Sequence, residues 1–498
     1  MYSDAQIAKL MWEQKTIFPK NWIFGNQYYV IATPVLAAVM YGICGDAILA
    51  MGLASLVMTA VIFSLFVWLL RPFASEMGLV SGLFAIGGAV ILGISACSCT
   101  TGMQLFYTMA SYYACYLIGI LLVLGVYLRL IYSVPMKPAM PVLAFFAAFC
   151  LGIQSLRETL VLVIPLACVA VLCSVNRRSR RGLGFTFCVA AANIAGLLVP
   201  KIVKPETHQT ISGYGIPQSA AYLGINIRAS ASAMRNIMGF QYFGYGLKWY
   251  PLGIAAVLIS ILCAFAVLSA MRDGINAVRR REQISPISML ILFCVVSLFS
   301  VFAVGVFLSF SLRGIYFFVW YLLTALSFVY AIENTDGILK TAALLLLLGC
   351  GALNLFYNAY TDVVQHDEQE QLFAGTADML VSEGYDRIYI EYTTYYSSAV
   401  AACSDGRIEA APIMVDASGV FAPFPTIVNK SLFADRDAHK AAIILMVSHL
   451  SGTSSLDTVY AAPDGGANIF SKLELISVES NRYNDLYIYR ILDPTVLK

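Results

Sequence analysis

Charge is scarce in this chain. Asp, Glu, Lys and Arg together make up only 12% of its 498 residues, where a soluble domain carries about a quarter. Neither sign dominates: the net charge is +2, which gives nucleic acid no electrostatic footprint to bind. Histidine is nearly absent, with four in all. Three of them (His366, His439, His449) lie in the last quarter, and none has metal-ligand spacing. "CSC" at Cys97 and Cys99 has no second half that would make a zinc site. There is no Gly-rich phosphate-cradling loop, no internal repeat, and no pair of Gly/Pro-broken spans of the transporter kind. The opening stretch has no basic n-region and apolar core of the kind a signal peptide shows.

What is abundant is apolar surface, at 59% of residues with a mean hydropathy of +0.76. That composition belongs to a polytopic membrane protein. Ten spans are expected, near 47–70, 77–96, 108–130, 141–156, 158–175, 183–200, 251–271, 286–310, 315–332 and 341–358. Basic residues alternate in step with them. With the N-terminus outside, the inner connections carry Arg71, Arg129 with Lys137, "NRRSRRG", "RDGINAVRRRE" and Lys340, while the short outer turns hold at most one base each. An even number of spans leaves the tail outside as well. The tail reads as a small α/β domain. "QEQLFAGTADMLVSEG" has helical spacing; "RIYIEY", "RIEAAPIMV", "AAIILMV", "DTVYAA" and "DLYIYRI" read as strands. Residues 201–250 form a long outer loop. The expected organisation is therefore a first outer loop over 1–45, a helical bundle over 46–358, and an extracytoplasmic α/β domain over 359–498.

Four groups of candidate residues fall on the outer face. In "SDAQIAKLMWEQ", Ser3 and Gln6 fit a capping box that puts Asp4 in the first turn of a short helix, with Ile7, Leu10 and Met11 as its apolar stripe. Asp4 there is either a plain first-turn acid or a general base for a hydroxyl acceptor. "GIQSLRETLVLVIPL" sets Arg157 and Glu158 between two spans, as an interfacial ion pair or as phosphate-binding and substrate groups. "SFSLRGIYFFVWYLL" sets Arg313 beside an aromatic run, as an interfacial anchor or a bidentate phosphate ligand. His208 with Glu206 in the long loop is surface or substrate contact.

The opening "DAQIAKLMWEQKTIFPKNWIFGNQYYVIATPVLAAVMYGI" resembles the first outer loop of GT-C membrane glycosyltransferases of the protein mannosyltransferase and aminoarabinose transferase kind. In those relatives the loop runs as an acid, a short helix, a Pro/Trp break and a re-entrant helix. The resemblance implies a GT-C-like bundle in the plasma (inner) membrane. It implies transfer of a sugar from a polyprenyl-phosphate-linked donor to a glycan, lipid or protein acceptor on the outer face, with membrane lipids as further partners. Asp4 matches the position of the catalytic acid; Arg157 and Arg313 fit the donor phosphate by location. Two departures stand out. The turn at 97–104 lacks the second acid that many relatives carry, so Glu13 or Glu158 would have to substitute. A divalent cation is thus an open question as cofactor. The span that precedes this loop in the family is also missing, so one more apolar span is expected upstream of Met1. A transporter or flippase, and a surface-polysaccharide polymerase or ligase, are the competing functions; a non-catalytic scaffold working through its tail is a third.

Overall fold

The computed structural model describes residues 2–25, 27–89, 113–174, 180–206, 220–244, 246–308, 312–361, 367–391, 398–425, 427–434, 439–449, 452–462 and 464–498. Cys97, Cys99, the turn at 97–104, Arg177, Arg178 and His208 lie outside them.

The helices of the first three-quarters are α1 (Tyr2–Gln14), α2 (Thr33–Cys44), α3 (Ala47–Leu70), α4 (Glu76–Phe84), α5 (Ala114–Tyr132), α6 (Ala139–Gln154), α7 (Ile164–Cys173), α8 (Arg180–Val203), α9 (Ala220–Ile237), α10 (Tyr250–Arg280), α11 (Pro286–Phe307), α12 (Val319–Asn334) and α13 (Ile338–Thr361). Their ends follow local chemistry. Asp46 starts α3 by accepting from the N–H groups of Ile48 and Leu49 at 2.8 and 3.0 Å. Ser285 caps α11, with Pro286 at its first position. Within the described residues, the expected spans fall on these helices or on the helical stretch leading into them; residues 90–96 and 108–112 of two spans lie outside. Among the described residues seven helices are long and apolar enough to cross a membrane, and the chain is a multi-pass membrane protein. The segments at 141–156 and 158–175 form shorter apolar helices.

Two helices define the bundle's centre. The spans of α5 and α12 are each 89% buried, whereas those of α3, α8, α10 and α13 are only about a third buried. The outer helices therefore turn side chains such as Phe187, Ile261 and Leu268 outward, where lipid replaces a protein partner. Contact between α6 and α8 depends on small residues. A β-carbon on Gly152 would overlap the Asn193 carbonyl, and one on Gly196 the Phe149 carbonyl. Asn193 fastens the crossing, donating to the Ala148 carbonyl at 3.1 Å and accepting from the Thr159 hydroxyl at 2.6 Å.

The tail is an α/β unit. α14 (Asp367–Ser382) precedes β2 (Arg387–Glu391), α15 (Ser398–Ala402), β3 (Glu409–Val415), β4 (Phe421–Pro423), β5 (Val428–Asn429), β6 (Ala441–Ser448), β7 (Thr453–Ser454), α16 (Ser455–Tyr460), α17 (Ala467–Phe470), β8 (Leu473–Ser480) and β9 (Asn484–Ile491). The main sheet runs β4-β3-β2-β6-β9-β8, with β7 on β6. β2, β3 and β6 are parallel, and β9 and β8 return antiparallel. All of β2 is buried, because both faces of the sheet are covered. Ile388 and Ile390 enter one core with Phe373, Leu380 and Val400; Tyr389 enters the other with Phe421 and Leu432.

Several segments differ from the sequence reading, β8 among them, which lies outside every stretch read as a strand. "DTVYAA" is helical at its start, because Ser454 accepts from the Asp457 N–H and caps α16. The stretch 201–250 contains the eighteen-residue α9. Its inward stripe is Ser230, Ala233 and Ile237, too small and polar to stand out as an apolar pattern.

The first segment lies between bundle and tail. β1 (Trp22–Ile23) pairs antiparallel with β5. Lys430 N–H donates to the Asn21 carbonyl at 2.8 Å, and Phe24 N–H to the Glu206 carbonyl at 3.0 Å. The Lys430 ammonium pairs with the Glu206 carboxylate. Gln6 does not close a capping box: α1 already begins at Tyr2, and the Gln6 amide donates to the Ala410 carbonyl at 2.9 Å.

Candidate active site at the bundle mouth

Arg157 follows a sharp break. Helix α6 ends at Gln154, Ser155 is extended, and the Ser155 hydroxyl accepts from the Arg157 N–H at 3.0 Å. A π-helical turn, Thr159–Val163, begins just after Glu158. This turn projects the Arg157 guanidinium toward the ends of α5 and α12. Its centre lies 5.0 Å from the Tyr113 ring, 5.4 Å from Tyr116 and 5.0 Å from Tyr316. Among the described residues it has no carboxylate partner within ion-pair distance. Tyr113 and Tyr316 are themselves 6.3 Å apart, and Phe318 packs 5.7 Å from Tyr113.

Arg313 sits at the entry to the Gly314–Phe317 turn, exposed, its carbonyl accepting from the Tyr316 N–H at 3.0 Å. Arg313 thus lies on the turn that carries Tyr316, whose ring stands 5.0 Å from the Arg157 guanidinium.

Asp4 reaches this cluster through one short stretch, residues 27–30. Asp4 is buried, 4% exposed, and its carboxylate accepts from the Tyr29 hydroxyl at 3.2 Å. Two residues earlier, Gln27 Oε1 accepts from Arg157 Nη1 at 2.8 Å and from the Tyr116 hydroxyl at 3.0 Å. Between them, Tyr28 N–H donates to the Gln154 carbonyl at 2.9 Å and Val30 N–H to Gln154 Oε1 at 3.4 Å. Gln154 is in turn held by Cys115, whose sulfur accepts from its Nε2 at 3.0 Å.

Asp4 and Arg157 are therefore joined through residues 27–29, and Arg313 lies three positions before Tyr316. Glu158 stands apart. It is fully buried, makes no hydrogen bond and no ion pair with Arg157, and turns toward α5, where a β-carbon on Gly119 would come within 2.9 Å of its Oε1. Glu13 is exposed near the far end of α1, about 14 Å along the helix from Asp4 at 1.5 Å per residue. Gln27, Tyr29, Tyr113, Tyr116 and Tyr316 were not singled out by sequence. The tyrosines look like an interfacial aromatic belt until the fold groups them around a guanidinium. Among the described residues no three His, Cys, Asp or Glu side chains gather into a set that could hold a metal ion, and no step below is routed through one.

The arrangement offers guanidinium and hydroxyl donors against an aromatic wall, with a carboxylate one short segment away. Donors of this kind bind an oxyanion; a carboxylate beside them can take a proton.

No family model matches the chain, and no curated protein does. Among solved structures, the chain is similar to "Crystal Structure of ArnT from Cupriavidus metallidurans in the apo state". The two share 10% identity at a TM-score of 0.43, over 100% of this chain and 94% of that chain. At this identity and score, the chemistry has to come from the chain's own residues.

Proposed function

We propose that the protein is a membrane glycosyltransferase that moves a sugar from a polyprenyl-phosphate-linked donor to a cell-envelope acceptor on the outer face. The observation that carries this reading is the stretch 27–30, which ties the Asp4 carboxylate through Tyr29 and the Arg157 guanidinium through Gln27. The resemblance of the first loop to GT-C enzymes supports it, and the alternation of basic loops supports the outer face.

In this mechanism Arg157 and Arg313 hold the donor phosphate. The acceptor hydroxyl attacks the anomeric carbon as the bond from that carbon to the phosphate oxygen breaks. Asp4 takes the hydroxyl proton, and the bonding electron pair leaves on the phosphate. Negative charge on the leaving oxygen grows in the transition state, so fixed guanidinium donors lower the barrier rather than only binding substrate. Tyr29 fixes the orientation of Asp4. A lipid-linked donor accounts for the need for a many-helix bundle, since its tail requires an apolar path. A transporter would bind a small solute with no lipid phosphate and break no glycosidic bond.

The test is transfer from a polyprenyl-phosphate-linked sugar in membranes. Asp4→Asn should abolish transfer while expression and folding stay normal. Full activity in that variant removes Asp4 from the chemistry.

A further inference from the structure

Gln27 is 3% exposed, and its amide orientation is not free. Arg157 and the Tyr116 hydroxyl both donate to the same atom, Oε1, at 2.8 and 3.0 Å. A flipped amide would aim its own N–H groups at the guanidinium donors, so the flip is excluded by the network. The amide nitrogen is thereby fixed on the other side. That Nε2 is buried and, among the described residues, has no hydrogen-bond partner. Buried donors are nearly always paired, and a fixed, buried, unpaired one beside a guanidinium is a place where a ligand acceptor belongs.

We propose that Gln27 is a ligand-contacting residue, donating from Nε2 to a phosphoryl oxygen of the anionic group that Arg157 binds. This rests on the phosphate-binding reading of the Arg157 site. The chemistry fits an oxyanion rather than a carbonyl or a cation. Nε2 and Oε1 are bonded to the same carbon, so Nε2 stands one atom away from the oxygen that Arg157 holds, and the remaining N–H groups of the guanidinium and the amide can reach different oxygens of one ligand. The tyrosine rings around Arg157 lower the local dielectric, which raises the worth of each such bond. Gln27 also carries the segment that leads to Asp4. A ligand drawn onto Nε2 is thus held against the stretch that orients the carboxylate.

The test uses the full chain in nanodiscs with a long-chain dialkyl phosphate, a probe whose single negative charge does not titrate near neutrality. Inorganic phosphate is the second arm, and a long-chain alcohol the uncharged control. Gln27→Met removes the amide and should weaken dialkyl phosphate binding about tenfold, the loss of one hydrogen bond to a charged group, leaving the alcohol unchanged. Gln27→Glu keeps the acceptor for Arg157 and Tyr116 but replaces the donor with a carboxylate oxygen. Its binding should fall further at neutral pH and recover, relative to wild type at the same pH, on acidification, as the carboxyl gains a proton to donate. The charged and titratable groups around position 27 are Arg157 and Tyr116, with Cys115, Tyr113, Glu158 and, through Tyr29, Asp4 beyond them. Recovery with the lipid probe alone assigns the site to a lipid phosphate; recovery with inorganic phosphate as well assigns it to phosphate in general. Wild-type affinity in both variants, or weakened binding in Gln27→Glu with no recovery in acid, overturns the proposal. Because these readings are of binding, a wild-type protein that binds with this dependence yet transfers no sugar would sink the transferase reading and leave the role of Gln27 standing.

Discussion

The bundle and the tail hold the first segment in different ways. Toward the tail, α1 is fastened by hydrogen bonds to a strand edge. β4 covers β3 only over Ile413–Val415, and side chains of α1 take the place of a neighbouring strand further back. The Tyr2 hydroxyl accepts from the Ala410 N–H at 3.0 Å and donates to the Ile408 carbonyl at 3.4 Å; Gln6 donates to the Ala410 carbonyl; Lys9 stands 4.0 Å from Glu409. Toward the bundle, residues 27–30 bond to the ends of α5 and α6, helices fixed by close packing. The carboxylate thus rides on a helix registered by the sheet, and the guanidinium on a turn registered by the bundle. The site exists only where both registers agree.

The largest expected effect comes from breaking the bundle side. Gly152→Leu or Gly196→Leu would drive a side chain into a backbone carbonyl of the facing helix and should prevent formation of a monodisperse protein, read by size-exclusion chromatography in detergent. Arg157→Ala should leave folding intact and weaken phosphate-lipid binding about a hundredfold, because a buried charge-assisted contact is lost; Arg157→Lys should restore only part of it, lacking the planar fork.

Breaking the tail side should separate the two functions. Tyr2→Phe combined with Gln6→Leu removes the fastening of α1 to β3 and should lower the transfer rate about tenfold, with phosphate-lipid affinity unchanged, measured in parallel on one preparation. Burial pushes the Tyr2 hydroxyl up to about 12. Its folded value lies above the unfolded one near 10, so its contribution is complete below about pH 10 and is lost as pH rises toward 12. Hydrogen exchange of α1 corrected for intrinsic rates should stay flat from neutral pH to about 10 and rise beyond it. The smallest effect is expected at Asp416. The Ser418 hydroxyl, then the Lys498 ammonium, hold its carboxyl well below the usual range. Its contribution is present above an ordinary carboxylate pKa of about 4 and fades as pH falls through the lower folded value. Asp416→Asn should cost less than about 1 kcal/mol of tail stability at neutral pH, since the pair lies at the surface.

Much of the fold is legible in the sequence because membrane helices announce themselves by length and hydropathy. α3 falls on the expected 47–70 residue for residue, β2 and β3 lie within the stretches read as strands, and β6 and β9 overrun theirs by one residue. What was hidden shares a physical cause. α9 packs through Ser230 and Ala233, which carry no apolar signal. β1 and β5 are two residues each and exist only by pairing with one another. For the site, Asp4, Arg157 and Arg313 stand out because charge is rare in such a chain. Gln27 and the tyrosines do not, since their meaning comes from partners distant in sequence, 89 and 130 positions away for Gln27. Glu158 stood out equally, yet it faces Gly119 inside the bundle, a direction that no spacing rule reveals.

The central claim is that Asp4 and Arg157 serve one site, one for the proton and the other for the phosphate. The most direct measurement is sugar transfer and phosphate-lipid binding side by side in the Asp4→Asn protein. The account predicts binding within about twofold of wild type and transfer reduced about a thousandfold, the usual scale for loss of a general base. Transfer at the wild-type rate would contradict it.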